Sequence, residues 1–141
     1  MEYLIGVGLG IAVCVFAAAV GFDRERVFHP TLVPVVATYY ILFAVMGNSM
    51  PALGWECLVA GAFFVSAVVG FKKNLWLIAA ALIGHGVFDF FHHLLIHNPG
   101  VPSWWPGFCL SFDILAGAFL VMLLMRRPNF ASKAEFHRGG K

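Results

Sequence analysis

Five long apolar runs, separated by short polar segments, dominate this 141-residue sequence. Each run approaches the roughly 20 residues that a helix needs to cross a bilayer, and together they cover residues 3–22, 32–47, 52–71, 75–96 and 108–125. Irregular or open-strand backbone facing lipid would leave polar groups unpaired, so the runs are read as helices. We predict an all-α integral membrane bundle of five transmembrane helices, residues 1–125, followed by a basic tail, residues 126–141.

The composition excludes the common soluble classes. Only 11% of the residues are charged and 61% are hydrophobic, whereas soluble domains carry about 25% charged residues. A net charge of +2 and three cysteines provide neither a nucleic-acid-binding surface nor a disulfide scaffold. The lipid bilayer is therefore the predicted surrounding, and no nucleic acid is expected as a partner.

The basic residues predict the orientation of the bundle. With five spans, all nine Lys and Arg residues fall on the same side of the membrane, and cytoplasmic loops attract these residues. We expect the N-terminus outside and the C-terminus in the cytoplasm. The first run should persist as a helix, because Met1 and Glu2 precede it in place of the basic stretch of a signal peptide.

The fourth run contains an unusual group of ionisable residues. His85, Asp89, His92 and His93 occur within nine residues, although such groups cost about 2.5–3.5 kcal/mol each at the bilayer centre on insertion scales. At about 100° per residue, the first three share one narrow stripe of a helix, and His93 lies about 80° from His85. The stripe predicts a polar site inside the bundle.

Two acids in neighbouring runs lie at matching depths. With a helical rise of ~1.5 Å per residue, Asp89 and Asp113 should lie about 10 and 8 Å below the outer edge, and His92 and Glu56 about 6 Å below it. No Lys or Arg is expected in this half of the membrane. We therefore expect one pocket to collect three histidines and three carboxylates: His85, His92, His93, Asp89, Asp113 and Glu56.

Two physical accounts of this pocket remain open. Imidazole and carboxylate groups bind zinc or non-haem iron, and a bound cation would offset the burial of the acids. Alternatively, the side chains hydrogen-bond to one another as a proton or ion relay, or as a structural polar core. Cys57 and Cys109 both lie near the outer edge. A disulfide between them, or Cys109 as a thiolate ligand of the metal, is a further alternative. His29 and His137 are expected on the solvated cytoplasmic side.

The pattern His85-x-x-x-Asp89-x-x-His92-His93, a loop rich in Pro and Trp, and Cys109-x-x-x-Asp113 resembles a family of small bacterial membrane proteins catalogued as a domain of unknown function. The likeness covers residues 85–118. It implies that these six residues belong together as a polar signature in a bacterial protein. It implies no activity.

We therefore expect a bacterial inner-membrane protein with a divalent metal site, zinc being favoured over iron. His85, Asp89 and His92 are the predicted ligands, Asp113 completes or bridges the site, and His93 is a further ligand or partner. Glu56 is the candidate acid/base residue for metal-assisted hydrolysis or oxidation of a lipid-like substrate. The alternatives are a proton-coupled or ion transporter and a non-catalytic accessory or sensor subunit; homo-oligomer formation through small-residue helix faces is also left open.

Overall fold

The computed structural model describes residues 1–127, and this part of the chain contains five long helices. They are α1 (Glu2–Val20), α2 (Phe28–Met46), α3 (Met50–Lys73), α4 (Trp76–Leu95) and α5 (Trp105–Arg126). Each is long and apolar enough to cross a membrane. The predicted all-α class and number of spans are thus confirmed, and the architecture is that of a multi-pass membrane protein. Most of the predicted basic tail lies outside the described residues.

Two helices begin three to four residues earlier than the hydropathy of the sequence predicts. The second span was expected from residue 32 with an irregular start, but α2 is helical from Phe28 and includes Pro30 in its first turn. Similarly, α5 begins at Trp105 with Pro106 at its second residue. Backbone N–H groups in the first turn of a helix have no helical partner. Proline lacks this group, so both helices accommodate it there.

Helix α4 occupies the middle of the bundle. It packs against α5, α3 and α2, whereas α1 packs mainly on α5, and α2 also packs on α3. The apolar core lies in the half of the bundle that holds the starts of α2 and α4 and the end of α5. It includes fully buried side chains from these helices and from the residue before α4: Val33, Leu75, Ile78, Leu82, Leu120 and Leu124. Because three helices surround α4, a polar stripe on α4 can be buried against a neighbouring helix.

The two ends of the bundle differ in charge. One end, here called the basic end, carries the six Lys and Arg residues among those described: Arg24, Arg26, Lys72, Lys73, Arg126 and Arg127. The other end, here called the loop end, carries the start of α1, the turn between α2 and α3, and the segment 96–104. The cytoplasmic location of the C-terminus is predicted from this distribution of Lys and Arg, and the orientation stays a prediction.

The small residues of α1 pack within the chain. Gly6 lies against the Phe108 carbonyl and the Ser111 side chain, and Gly10 lies against Leu115. Both glycines are buried, which lets the α1 and α5 backbones approach closely. Packing within one protomer accounts for this pair, while homo-oligomer formation through other faces stays a prediction.

His29 is not a solvated residue, contrary to the prediction. It is 2% exposed, and its ring lies 5.0 Å from Phe28 and 6.1 Å from Phe119, measured between ring centroids. Because α2 begins four residues earlier than expected, His29 belongs to the helix and packs towards α5. His137 lies outside the described residues.

Candidate metal centre

The predicted stripe on α4 faces the interior of the bundle. His85, Asp89 and His92 are 1%, 0% and 2% exposed, so all three ionisable side chains are removed from solvent and from lipid. Their spacing along the helix places them one above another on a single face. The structure divides this stripe between two separate clusters, which the sequence treated as one pocket.

The aspartate cluster consists of His85, Asp89 and Asp113. Nδ1 of His85 lies 2.8 Å from Oδ2 of Asp113 and 3.2 Å from Oδ2 of Asp89. One imidazole nitrogen is therefore shared between two buried carboxylates, one from its own helix and one from α5. Asp113 is 0% exposed.

A glycine lets the two helices approach closely at this cluster. A Cβ at Gly86 would lie 3.1 Å from the Leu110 carbonyl oxygen and 3.2 Å from Cβ of Asp113. These distances are shorter than ordinary van der Waals contacts, so a larger residue would push α5 away. Gly86 thus helps to hold Asp113 within reach of His85.

Several oxygens of this cluster have no hydrogen-bond partner among the described residues. They are Oδ1 of Asp89, Oδ1 of Asp113 and Oδ2 of Asp89, the last of which makes only the 3.2 Å contact with Nδ1 of His85, without the geometry of a hydrogen bond. Buried polar atoms are almost always satisfied, so such a group requires an explanation. One ligand atom from each of the three residues lies within 4.8 Å of the others, and imidazole with carboxylate oxygens is a donor set used by zinc and by non-haem iron. The cluster fits a divalent cation.

The charge of the aspartate cluster also favours a divalent cation. Every Lys and Arg among residues 1–127 lies at the basic end, so the two aspartates have no permanent cation nearby. Two ionised carboxylates beside a single imidazole carry a net negative charge into a low-dielectric interior, which is costly without a further partner. A divalent cation would cancel this charge and use the free oxygens.

The glutamate cluster consists of Glu56, His92 and Asn98 and lies towards the loop end. Oε1 of Glu56, on α3, lies 2.7 Å from Nε2 of His92 and accepts a 2.9 Å hydrogen bond from Nδ2 of Asn98. Glu56 is 1% exposed and Asn98 8%. His92 was predicted to bind the same metal as His85, but its Nε2 is bonded to Glu56 instead, because α3 and not α5 faces that turn of α4.

Asn98 is the residue of this site that the sequence analysis missed. It follows the end of α4 and turns back into the bundle, where Nδ2 also donates to the Tyr40 carbonyl at 3.1 Å. Its Oδ1 accepts from the Gly100 backbone N–H at 3.2 Å. Asparagine before Pro-Gly is typical of such a turn, and this signal indicates a side chain held close to the helix end.

Tyr40 connects the two clusters. Its ring stacks on His92, with centroids 4.1 Å apart and planes at 25°, and lies 6.2 Å from the His85 ring. Its hydroxyl lies beside Asp89 without completing a hydrogen bond of standard geometry. The side chain fixes the plane of the His92 ring and brings a phenol to the edge of the aspartate cluster.

Other predicted participants lie outside both clusters. His93 is exposed, because it is rotated by about 100° from its neighbour His92; the structure does not bring it together with His85, Asp89 and Asp113, and its role as a ligand stays a prediction. Cys109 is buried next to Asp89 and Asp113, but its sulfur is not within the group of mutually close ligand atoms. Cys57 is exposed and both cysteines are free, so the alternative of a disulfide between them is not adopted.

Comparisons of the chain with protein-family models, with curated proteins and with solved structures find no match. The resemblance of residues 85–118 to a family of unknown function stays a prediction. Within the structure, the six residues of that pattern separate into a buried group of three, one member of the glutamate cluster, the exposed His93 and the buried Cys109.

Proposed function

We propose that this membrane protein binds one divalent transition metal through His85, Asp89 and Asp113. The observation that carries the proposal is the aspartate cluster itself: three buried ligand atoms within 4.8 Å of one another, with carboxylate oxygens that have no other partner in the described chain. Three protein ligands also leave a coordination position for an exchangeable ligand, as in catalytic zinc sites. Zinc is the first candidate and iron the second.

We further propose metal-assisted hydrolysis or oxidation of a lipid-like substrate as the reaction class. When bound, the metal would supply Lewis-acid or redox chemistry. Glu56 and His92 lie about one helical turn from Asp89 towards the loop end and form the hydrogen-bonded acid/base pair nearest to the cluster. Their role would be to accept or donate a proton at Nδ1 of His92, the ring nitrogen that Glu56 leaves free.

Elemental analysis of the purified full-length chain tests the metal site. Cells are supplied with zinc and iron, and the wild type is compared with Asp89→Asn and Asp113→Asn. Asp23→Asn is the matched control, because Asp23 is also a buried carboxylate, 6% exposed, but lies at the basic end. We expect about one metal per chain in the wild type and control, and loss of most of it in both cluster variants. A metal-free wild type, or full occupancy of both variants, would overturn the proposal.

The reaction class is tested on vesicles prepared from a bacterial lipid extract. Lipid products are followed by mass spectrometry with the wild type, with Asp113→Asn and with Glu56→Gln. Products that require both acids support the reaction, whereas products formed equally by all three proteins refute it.

Cation transport is the second candidate function. The observation that favours it is the order of the two clusters, in which the Glu56–His92 pair lies between the aspartate cluster and the loop end. A cation or proton entering from that end would pass the pair before reaching Asp89. Flux of zinc or protons into reconstituted vesicles should then stop in Asp89→Asn, and flux that survives this change would exclude the route.

A further inference from the structure

A polar cleft opens at the loop end, directly against the glutamate cluster. It has a volume of about 430 Å³ and is formed by the start of α1, the last turns of α4, the segment 96–104 and the start of α5. His92 and Asn98, both almost completely buried, belong to its wall. The cleft therefore reaches the same imidazole that Glu56 holds from the other side.

The pairing with Glu56 determines what His92 presents to the cleft. Oε1 of Glu56 already accepts a hydrogen bond from Asn98, which assigns the proton shared at 2.7 Å to Nε2 of His92. A carboxylate partner of this kind fixes the tautomer and orientation of an imidazole. In the neutral imidazole, Nδ1 of His92 is then a lone-pair acceptor, and stacking on Tyr40 keeps the ring from turning.

The rest of the wall favours an uncharged amphipathic ligand. Its polar members include His93, His97, Ser103 and Glu2, and it contains neither Lys nor Arg. The N-terminal ammonium of Met1 lies 3.2 Å from Oε2 of Glu2 and pairs with this acid, so an anionic head group would meet no unpaired permanent cation in the wall. The apolar members include Phe90, whose ring is 50% exposed on the bundle surface, so an acyl chain could leave the cleft along α4 into lipid.

We propose that the cleft binds a neutral hydroxyl-bearing head group of a lipid-like molecule, with Nδ1 of His92 accepting a hydrogen bond from the hydroxyl. The volume is within the range of about 300–1,000 Å³ typical of small-ligand sites. The inference deepens the proposed function by giving its substrate class a binding site. The reaction depends on the metal, but binding in the cleft does not.

Binding is measured on metal-free protein in phosphatidylcholine nanodiscs, whose lipid has no head-group hydroxyl. The probe is monooctanoylglycerol, and methyl octanoate is the matched probe without hydroxyls. Apparent dissociation constants are obtained from the dependence of the melting temperature on probe concentration. We expect the hydroxyl probe to bind the wild type at least about tenfold more tightly than methyl octanoate. Methyl octanoate has no hydroxyl to donate, so it leaves Nδ1 of His92 without that hydrogen bond.

Two tryptophan substitutions separate the cleft from the general bundle surface. Val101→Trp would fill the cleft from the segment 96–104 and leaves Glu56, His92 and Asn98 themselves unsubstituted, whereas Val87→Trp adds the same side chain on an exposed part of α4. Affinity for the hydroxyl probe should fall at least about tenfold in Val101→Trp and remain unchanged in Val87→Trp. Equal binding by both variants, or equal affinity of the wild type for both probes, would overturn the proposal.

A third variant distinguishes failure of this inference from failure of the metal proposal. Asp113→Asn should lose metal by elemental analysis but bind the hydroxyl probe as the wild type does, and Val101→Trp should show the opposite pattern. Loss of probe binding in Asp113→Asn that is folded by circular dichroism would contradict an independent cleft site.

Discussion

Nδ1 of His85 lies 2.8 Å from Oδ2 of Asp113, and this contact joins α4 to α5 in the interior of the bundle. The same nitrogen lies 3.2 Å from Asp89, so one imidazole separates two buried acids. The arrangement has two consequences. It provides a donor set for a cation, and it makes the stability of the metal-free protein sensitive to which member of the cluster is removed.

Replacement of His85 should destabilise the metal-free protein more than replacement of Asp113. His85→Ala leaves two carboxylates facing each other, and breaking a buried pair in this way costs about 3–5 kcal/mol. Asp113→Ala removes one acid and leaves His85 with Asp89, so its cost should be smaller. The free energy of unfolding is measured in detergent for both variants. A larger loss in Asp113→Ala would contradict this description of the cluster.

Added metal should stabilise the wild type by an amount that grows with the logarithm of the free metal concentration above the dissociation constant. A ligand that binds only the folded state contributes about 2.7 kcal/mol when its free concentration is about 100 times the dissociation constant. Zinc and ferrous iron are each titrated while the melting temperature is recorded. Asp89→Asn should show no increase, and Asp23→Asn should respond as the wild type does. A wild-type melting temperature that is independent of both metals would argue against the site.

The sequence predicted the helices well because lipid imposes a strong constraint on length and hydropathy. The ends were less accurate, since the second and fifth spans were predicted from residues 32 and 108, whereas α2 and α5 begin at Phe28 and Trp105. Helical periodicity also predicted the buried stripe of α4. A rotation of 100° per residue is sufficient to predict which side chains share a face of a helix.

Helical periodicity could not show which acid meets which imidazole. The depths of Glu56 and His92 matched, as did those of Asp89 and Asp113, but a shared depth does not decide which helices are adjacent at that level. The pairing follows from α3 facing one turn of α4 and α5 facing another. Asn98 escaped prediction because its contribution depends on the path of a loop, which hydropathy does not describe.

The predicted orientation leads to a labelling experiment. Ser103→Cys lies at the loop end and Asn74→Cys at the basic end, and both native residues are exposed. In a background with Cys57→Ser, a membrane-impermeant maleimide applied to intact cells should label the first variant and not the second. The reverse pattern would place the N-terminus in the cytoplasm, against the distribution of Lys and Arg.

Gly100→Ala should weaken the glutamate cluster from a distance. A Cβ at this position would collide with the Phe43 carbonyl and with the Gly47 backbone nitrogen, so the segment 96–104 must move away from the end of α2. Asn98 would move with it and lose its hydrogen bonds to Glu56 and to the Tyr40 carbonyl.

The expected cost of Gly100→Ala is about 1–3 kcal/mol, the range for leaving buried polar groups unsatisfied. Gly54→Ala is the control, because no neighbouring atom lies within 4 Å of the added Cβ and alanine favours a helix interior by about 1 kcal/mol over glycine. The two variants should therefore shift the melting temperature in nanodiscs in opposite directions. If Gly100→Ala melts at or above the wild type, then Asn98 does not hold the cluster together through this segment.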